Sequence, residues 1–120
     1  MKKKILIVDD SSYMRSLIKD SLTEAGYEIV GEAHNGEMGI DLALELKPDL
    51  ITLDNILPDM IGTDVLKVIK DEEIDVKVLI ISAVGQKSVI IEGMELGASE
   101  YIVKPFTPDE IVEVVNRILQ

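Results

Sequence analysis

Cysteine and tryptophan are absent from these 120 residues, and phenylalanine occurs once, at Phe106. Without thiols there is neither a disulfide framework nor a thiolate zinc site, so burial alone must hold the fold together. One domain of this length encloses enough apolar surface to do that. Basic residues are scarce: 12 Lys and Arg stand against 23 Asp and Glu, for a formal charge of −11. That balance opposes binding to a polyphosphate backbone. The one basic run, Lys2-Lys3-Lys4, precedes an apolar stretch and reads as the solvated start of a strand. Long hydrophobic runs are missing too. Ile5-Leu6-Ile7-Val8 is too short for the core of a signal peptide, and no segment approaches the roughly 20 apolar residues of a membrane span. The only histidine, His34, sits alone in a turn and gives no basis for a metal site. A cytoplasmic protein with neither nucleic-acid nor membrane partners is expected.

What is present is a strict alternation. The 47% hydrophobic content excludes disorder, and it is concentrated in five short apolar runs. Ile5–Val8 leads into Asp9-Asp10-Ser11-Ser12, where serine or aspartate can cap a helix. Met14, Leu17, Ile18, Ser21, Leu22 and Ala25 form the inner stripe of that helix, and Gly26 stops it. Glu28–Ala33 alternates less cleanly and reads as a strand near the sheet edge. A second helix buries Gly39, Leu42, Ala43 and Leu46 and ends at Lys47-Pro48. Leu50–Asp54 is a buried strand, and a loop marked by Pro58 and Gly62 follows it. A helix from about Thr63 to Asp71 turns Val65, Leu66 and Ile69 inward. Val78–Ile81 is a fourth strand, ending at Ser82-Ala83. After Gly85-Gln86 a helix runs through Leu96, and Tyr101–Val103 is a fifth strand before Lys104-Pro105-Phe106. Thr107, Pro108 and Glu110 satisfy the N-cap, N1 and capping-box rules for a last helix that buries Ile111, Val114, Val115 and Ile118. Alternating strands and helices imply a parallel sheet with right-handed crossovers and helices on both faces, an α/β doubly wound (βα)5 three-layer sandwich.

Polar groups gather at the carboxyl ends of four strands: Asp9-Asp10, Asp54, Ser82 and Lys104. In an open α/β sheet those ends share one crevice, where ligands bind. Taken singly, each has a bland explanation as a helix cap, a strand end, a turn serine or a solvated lysine. Four strand ends together do not. Carboxylates that close repel unless a cation intervenes, and oxygen-only ligands suit a hard ion such as Mg²⁺, one per domain. Asp54 then bears a nucleophilic oxygen for a phosphoryl group, with Ser82 and Lys104 available to the phosphoryl oxygens.

These landmarks (Val8-Asp9-Asp10, Leu53-Asp54 through Pro58 and Gly62, Ser82-Ala83, Val103-Lys104-Pro105-Phe106) resemble those of a response-regulator receiver domain, over the whole chain. The resemblance implies a single receiver domain over 1–120 with no attached output domain. Its fold would be flavodoxin-like, with strand order 2-1-3-4-5. It implies that Asp54 accepts a phosphoryl group from a sensor histidine kinase, that Asp10 binds Mg²⁺ directly and Asp9 through water, and that the Ile56 carbonyl completes the protein ligands. Ser82 and Ala83 would meet the phosphate, Lys104 would hold it, Tyr101 would rotate inward, and the Lys104–Pro105 bond would be cis. Met14-Arg15, Gly85-Gln86 and the lack of an effector segment are similar to stand-alone chemotaxis regulators. The implied partners are a chemotaxis-type kinase and a flagellar or archaellar motor switch or adaptor protein, met by a monomer.

Leu57 replaces the methionine usual before the loop proline, a nearly volume-conserving exchange. Ile56 and Val84 are apolar where many relatives are polar, and are expected to hinder attack by water and prolong the phosphoryl state. Ile90, Ile40 and Leu44 fall off the inner stripes of their helices, and Ile90 with Tyr101 and the last helix is a possible partner face. Gly93 weakens its helix by about 1 kcal/mol relative to alanine and is read as a point at which that helix shifts. Three rivals compete. A phosphorelay intermediate would pass its phosphoryl group to a histidine phosphotransfer protein. An FMN-binding flavodoxin-like carrier needs a phosphate loop free of acid, which Asp9-Asp10 oppose. A Mg²⁺-dependent aspartate phosphatase needs a cap domain.

Overall fold

Runs rich in Ile, Leu and Val suit a pleat that is buried on both faces. The computed structural model, which describes residues 2–83 and 85–120, turns the five runs into five strands, each followed by a helix. In chain order these are β1 (Lys4–Val8), α1 (Ser12–Glu24), β2 (Glu28–Ala33), α2 (Gly36–Leu46), β3 (Leu50–Asp54), α3 (Gly62–Asp71), β4 (Lys77–Ala83), α4 (Lys87–Glu95), β5 (Glu100–Lys104) and α5 (Pro108–Leu119). The strands lie in the order β2-β1-β3-β4-β5, all parallel. β2 is at the edge, as its ragged alternation predicts, and β3 is central.

The period of two sorts each strand onto two cores. Leu6, Val8, Ile51, Leu53, Val78 and Ile80 pack with Ala43 of α2 and Val65, Leu66 and Ile69 of α3. Ile5, Ile7, Leu50, Leu79, Ile81 and Ile102 pack with Ile18 and Leu22 of α1 and Ile111 and Val115 of α5. Phe106 is buried in this second core.

Helix ends follow local chemistry. The Ser11 hydroxyl accepts the Met14 N–H at 3.1 Å, and Thr107 and Glu110 form the reciprocal capping box before α5. Lys47 leaves α2 in the left-handed region, at φ 50°. Several boundaries differ from expectation, each by one or two residues. α3 begins at Gly62, one residue early, and its N-cap Ile61 makes no side-chain bond. β4 continues through Ser82 and Ala83 because β5 extends alongside, pairing Ser82 with Val103 and Ala83 with Lys104. Ser82 and Lys104 therefore belong to the last two rungs of the ladder rather than to loops. Ile40 is not off its stripe: it packs against the first core, whereas Leu44 is exposed.

Candidate functional site

β1 and β3 are adjacent and in register from Ile5↔Leu50 to Val8↔Leu53. Their carboxyl ends therefore emerge side by side, carrying Asp9-Asp10 and Asp54. One carboxylate oxygen from each of Asp9, Asp10 and Asp54 lies within 4.8 Å of the others. Asp9 is fully buried and Asp54 is 7% exposed, while Asp10 faces solvent. β5 delivers the counter-charge from the far side: Lys104 Nζ is 3.4 Å from Asp54 Oδ1 and 3.6 Å from Asp9 Oδ2. Among the described residues, Lys104 is the one cation within ion-pair distance of these carboxylates.

Three anions against one ammonium leave the cluster short of positive charge. Burial, and next the charge of Asp9, push the Asp54 carboxyl above its ordinary value, and Lys104 only partly offsets this. Asp9 Oδ1 accepts the Ser11 N–H at 2.9 Å, but its buried Oδ2 has no hydrogen-bond donor. An all-oxygen donor set, with a buried oxygen that accepts no hydrogen bond and an excess of negative charge, fits a hard divalent cation.

The surroundings are ordered by backbone bonds. Arg15 Nη1 donates to the Asp9 carbonyl at 2.7 Å, and its Nε is 3.3 Å from Glu32 Oε1 on β2. The Ile56 backbone, like Lys104, draws the Asp54 pKa downward, against the larger upward effects of burial and Asp9. Ser82 is fully buried, and its Oγ has no partner. The Ala83 N–H donates to Gln86 Oε1 at 2.9 Å. The Lys104–Pro105 peptide is cis.

Other expectations spread more widely. Tyr101 is 41% exposed on β5, beside Ile80 of β4. Ile90 is half-buried, and the exposed apolar residues of α4 are Ile91 and Met94. Val84, read as bordering the phosphate site, lies outside the described residues. Asp59 was passed over in the sequence, yet it holds the start of α2 through two backbone N–H groups. The two partners are 23 residues apart in the chain, and no local motif marks the pair. No helix among the described residues is long and apolar enough to cross a membrane.

Known proteins resemble this chain in sequence and fold. The family model of the response regulator receiver domain matches residues 5–116. The chemotaxis protein CheY of Thermotoga maritima is 44% identical over 118 residues, covering 98% of each chain. That of Bacillus subtilis is 42% identical over 119 residues, covering 99% of each. Among solved structures, a chain of the CheX–CheY–BeF3–Mg²⁺ complex from Borrelia burgdorferi superposes with a TM-score of 0.93 at 28% identity, covering 98% of this chain and 90% of that one. With a matched model spanning nearly its whole length and a flavodoxin-like sheet that brings three aspartates to one crevice, this chain belongs to the response-regulator receiver-domain family.

Proposed function

We propose that this protein is a phosphorylation-driven switch in which Asp54 takes a phosphoryl group from a phosphohistidine of a chemotaxis-type sensor kinase. The observation that carries the reading is the Asp54 carboxylate, 3.4 Å from Lys104 and clustered with Asp9 and Asp10 at the carboxyl end of the sheet. In the reaction an Asp54 oxygen forms the new O–P bond while the N–P bond to the donor imidazole breaks. The departing imidazole nitrogen takes a proton. Such transfer depends on positioning and charge compensation more than on covalent help.

Asp10 and Asp54 would hold Mg²⁺ directly, Asp9 through water, and the Ile56 carbonyl would complete the protein ligands. The chemistry supplied by that ion when bound is neutralisation of carboxylate and phosphoryl charge. Lys104 stabilises the charge on the phosphoryl oxygens, and the unpartnered Ser82 hydroxyl donates to one of them. Moving Ser82 toward the phosphate leaves room behind it for Tyr101 to turn inward, so covalent charge at one end of β4 and β5 becomes a change of surface. The surface read by partners includes Tyr101 and the exposed side of α4. The output is binding of a motor switch or adaptor protein by a cytoplasmic monomer, not turnover of a substrate.

Labelling with acetyl phosphate tests this. The wild type takes up phosphate only when Mg²⁺ is present, and Asp54→Ala does not. Label that survives the substitution moves the acceptor elsewhere. Onward transfer to a histidine phosphotransfer protein, without phosphorylation-dependent binding to a motor or adaptor protein, makes the chain a relay instead.

A further inference from the structure

Asp59 lies at the exposed tip of the loop after Asp54, yet both of its carboxylate oxygens serve a different element. Oδ1 accepts the Gly36 N–H at 2.8 Å and Oδ2 accepts the Glu37 N–H at 2.9 Å. These are the first two residues of α2, whose N-cap Asn35 accepts the Met38 N–H at 2.8 Å. A helix begins with N–H groups that have no partner within it, and its N-terminal end attracts negative charge. Here Asn35 caps locally, while Asp59 supplies the remaining acceptors from across the molecule. Those two bonds hold the Asp59 carboxyl below its usual range.

The loop that carries Asp59 is a miniature hairpin. Ile56 and Ile61 form an antiparallel bridge, Leu57 N–H donates to the Met60 carbonyl at 3.2 Å, and Gly62 N–H donates to the Asn55 carbonyl at 2.6 Å. Gly36 packs so closely on Met60 that any β-carbon at position 36 would displace the methionine side chain. The hairpin is thus braced internally, with its tip bonded to α2 and its base continuous with Asp54. At that base Ile56 follows Asp54 by two residues, and Asn55 between them donates its N–H to the Ile81 carbonyl of β4 at 2.9 Å.

We infer that Asp59 is a positioning residue for Asp54: by bonding the hairpin tip to the first turn of α2, it holds the Ile56 peptide in register with the acid cluster. The inference rests on reading Asp54 as a Mg²⁺-assisted phosphoacceptor. It separates the role of Asp59 from plain helix capping, because the Asn35 side chain caps the same helix by accepting the Met38 N–H and, among the described residues, makes no hydrogen bond to the hairpin.

Asp59→Ala and Asn35→Ala are therefore compared. Each removes cap bonds from α2, but only the first releases the hairpin. In Asp59→Ala, Mg²⁺ affinity measured by calorimetry falls on the order of tenfold, the low end of what outer partners of metal ligands contribute. Amide exchange at Ile56 accelerates in the metal-free protein, and acetyl phosphate labelling slows in step with the lost affinity. Asn35→Ala lowers the melting temperature but leaves all three at wild-type values. Asp59→Asn, with one carbonyl oxygen left to accept, falls between and serves if the alanine variant does not fold. Wild-type Mg²⁺ affinity and Ile56 exchange in the Asp59 variants, or equal losses in Asn35→Ala, overturn the inference alone. An unsubstituted protein that neither binds Mg²⁺ nor takes label overturns the phosphoacceptor reading and this inference together.

Discussion

Lys104 Nζ sits 3.4 Å from Asp54 Oδ1, an ion pair that joins β3 to β5 across the intervening β4. The same ammonium lies 3.6 Å from the fully buried Asp9 carboxylate, so one cation serves two anions. Lys104→Met leaves both anions without a cationic partner. Breaking a fully buried pair costs roughly 3–5 kcal/mol. The Lys104 side chain is 28% exposed, which screens the pair, and about 2 kcal/mol is the expected loss. Mg²⁺ supplies replacement charge, so it restores thermal stability to Lys104→Met by more than it raises that of the wild type. Melting curves with and without chelator measure both effects, and equal gains from Mg²⁺ contradict this account of the cluster.

Asp54 itself opposes folding when no metal is bound. Its carboxyl is raised by burial and by Asp9, so between its unfolded and folded pKa values the folded state binds more protons than the unfolded one. Stability from this group is complete below the unfolded value, about pH 4, and is lost as pH rises through the raised folded value. Asp54→Asn removes the ionisation. In chelator at pH 7 the variant melts above the wild type, and the difference closes as the pH approaches 4. With saturating Mg²⁺ at pH 7 the order reverses, because the wild type keeps a ligand that the variant has lost. A variant that melts lower in chelator at pH 7 contradicts the sign.

How far the residues announced this site depended on whether the signal was local. Asp9, Asp10, Asp54 and Lys104 were readable because each ends a continuous apolar run, and parallel topology sends such ends to one edge. Thr107-Pro108-Asp109-Glu110 was readable for the same reason, since a capping box is written in four consecutive residues. The strand limits of β4 and β5 were not, because Ser82 and Lys104 extend the ladder only by pairing with each other's strand. Nor was the Asp59 bond to α2, which depends on how a hairpin tip folds over another helix. On α4 the sequence singles out Ile90, which is half-buried, while its neighbour Ile91 is exposed; Val89, Ile90 and Ile91 are consecutive and give the stripe no unique phase.

Gly93 illustrates a residue whose reason lies entirely in packing. A β-carbon there would collide with Ile80 Cδ1, in the first core. Alanine gains about 1 kcal/mol of helix propensity but overpacks the core, at a cost of roughly 1–3 kcal/mol. Gly93→Ala is expected to lose about 1 kcal/mol on balance. Ile80→Val removes the colliding methyl group, and in that background Gly93→Ala stabilises by up to about 1 kcal/mol. Denaturant midpoints of the four proteins in the cycle measure the coupling. Additive effects return Gly93 to the earlier reading, a weak point at which α4 shifts.

On the proposed reading of Asp54 as phosphoacceptor, Ile56 is expected to set how long the phosphoryl group lasts. It follows Asp54 by two residues, is 56% exposed, and pairs through the backbone with Ile61. Hydrolysis of the aspartyl phosphate needs a water lined up with the phosphorus, and an apolar side chain beside that path gives the water nothing to bond. Asparagine at this position offers both a donor and an acceptor. A hydrogen bond worth about 1 kcal/mol, made to the attacking water in the transition state, speeds release of phosphate roughly fivefold. The measurement is loss of label from purified phosphorylated protein in Mg²⁺, comparing the wild type with Ile56→Asn and with Ile56→Ala. The alanine variant separates opening the path from orienting the water: faster loss only in asparagine assigns the effect to hydrogen bonding, and faster loss in both assigns it to bulk. A half-life unchanged in both shows that Ile56 does not guard the phosphoryl group.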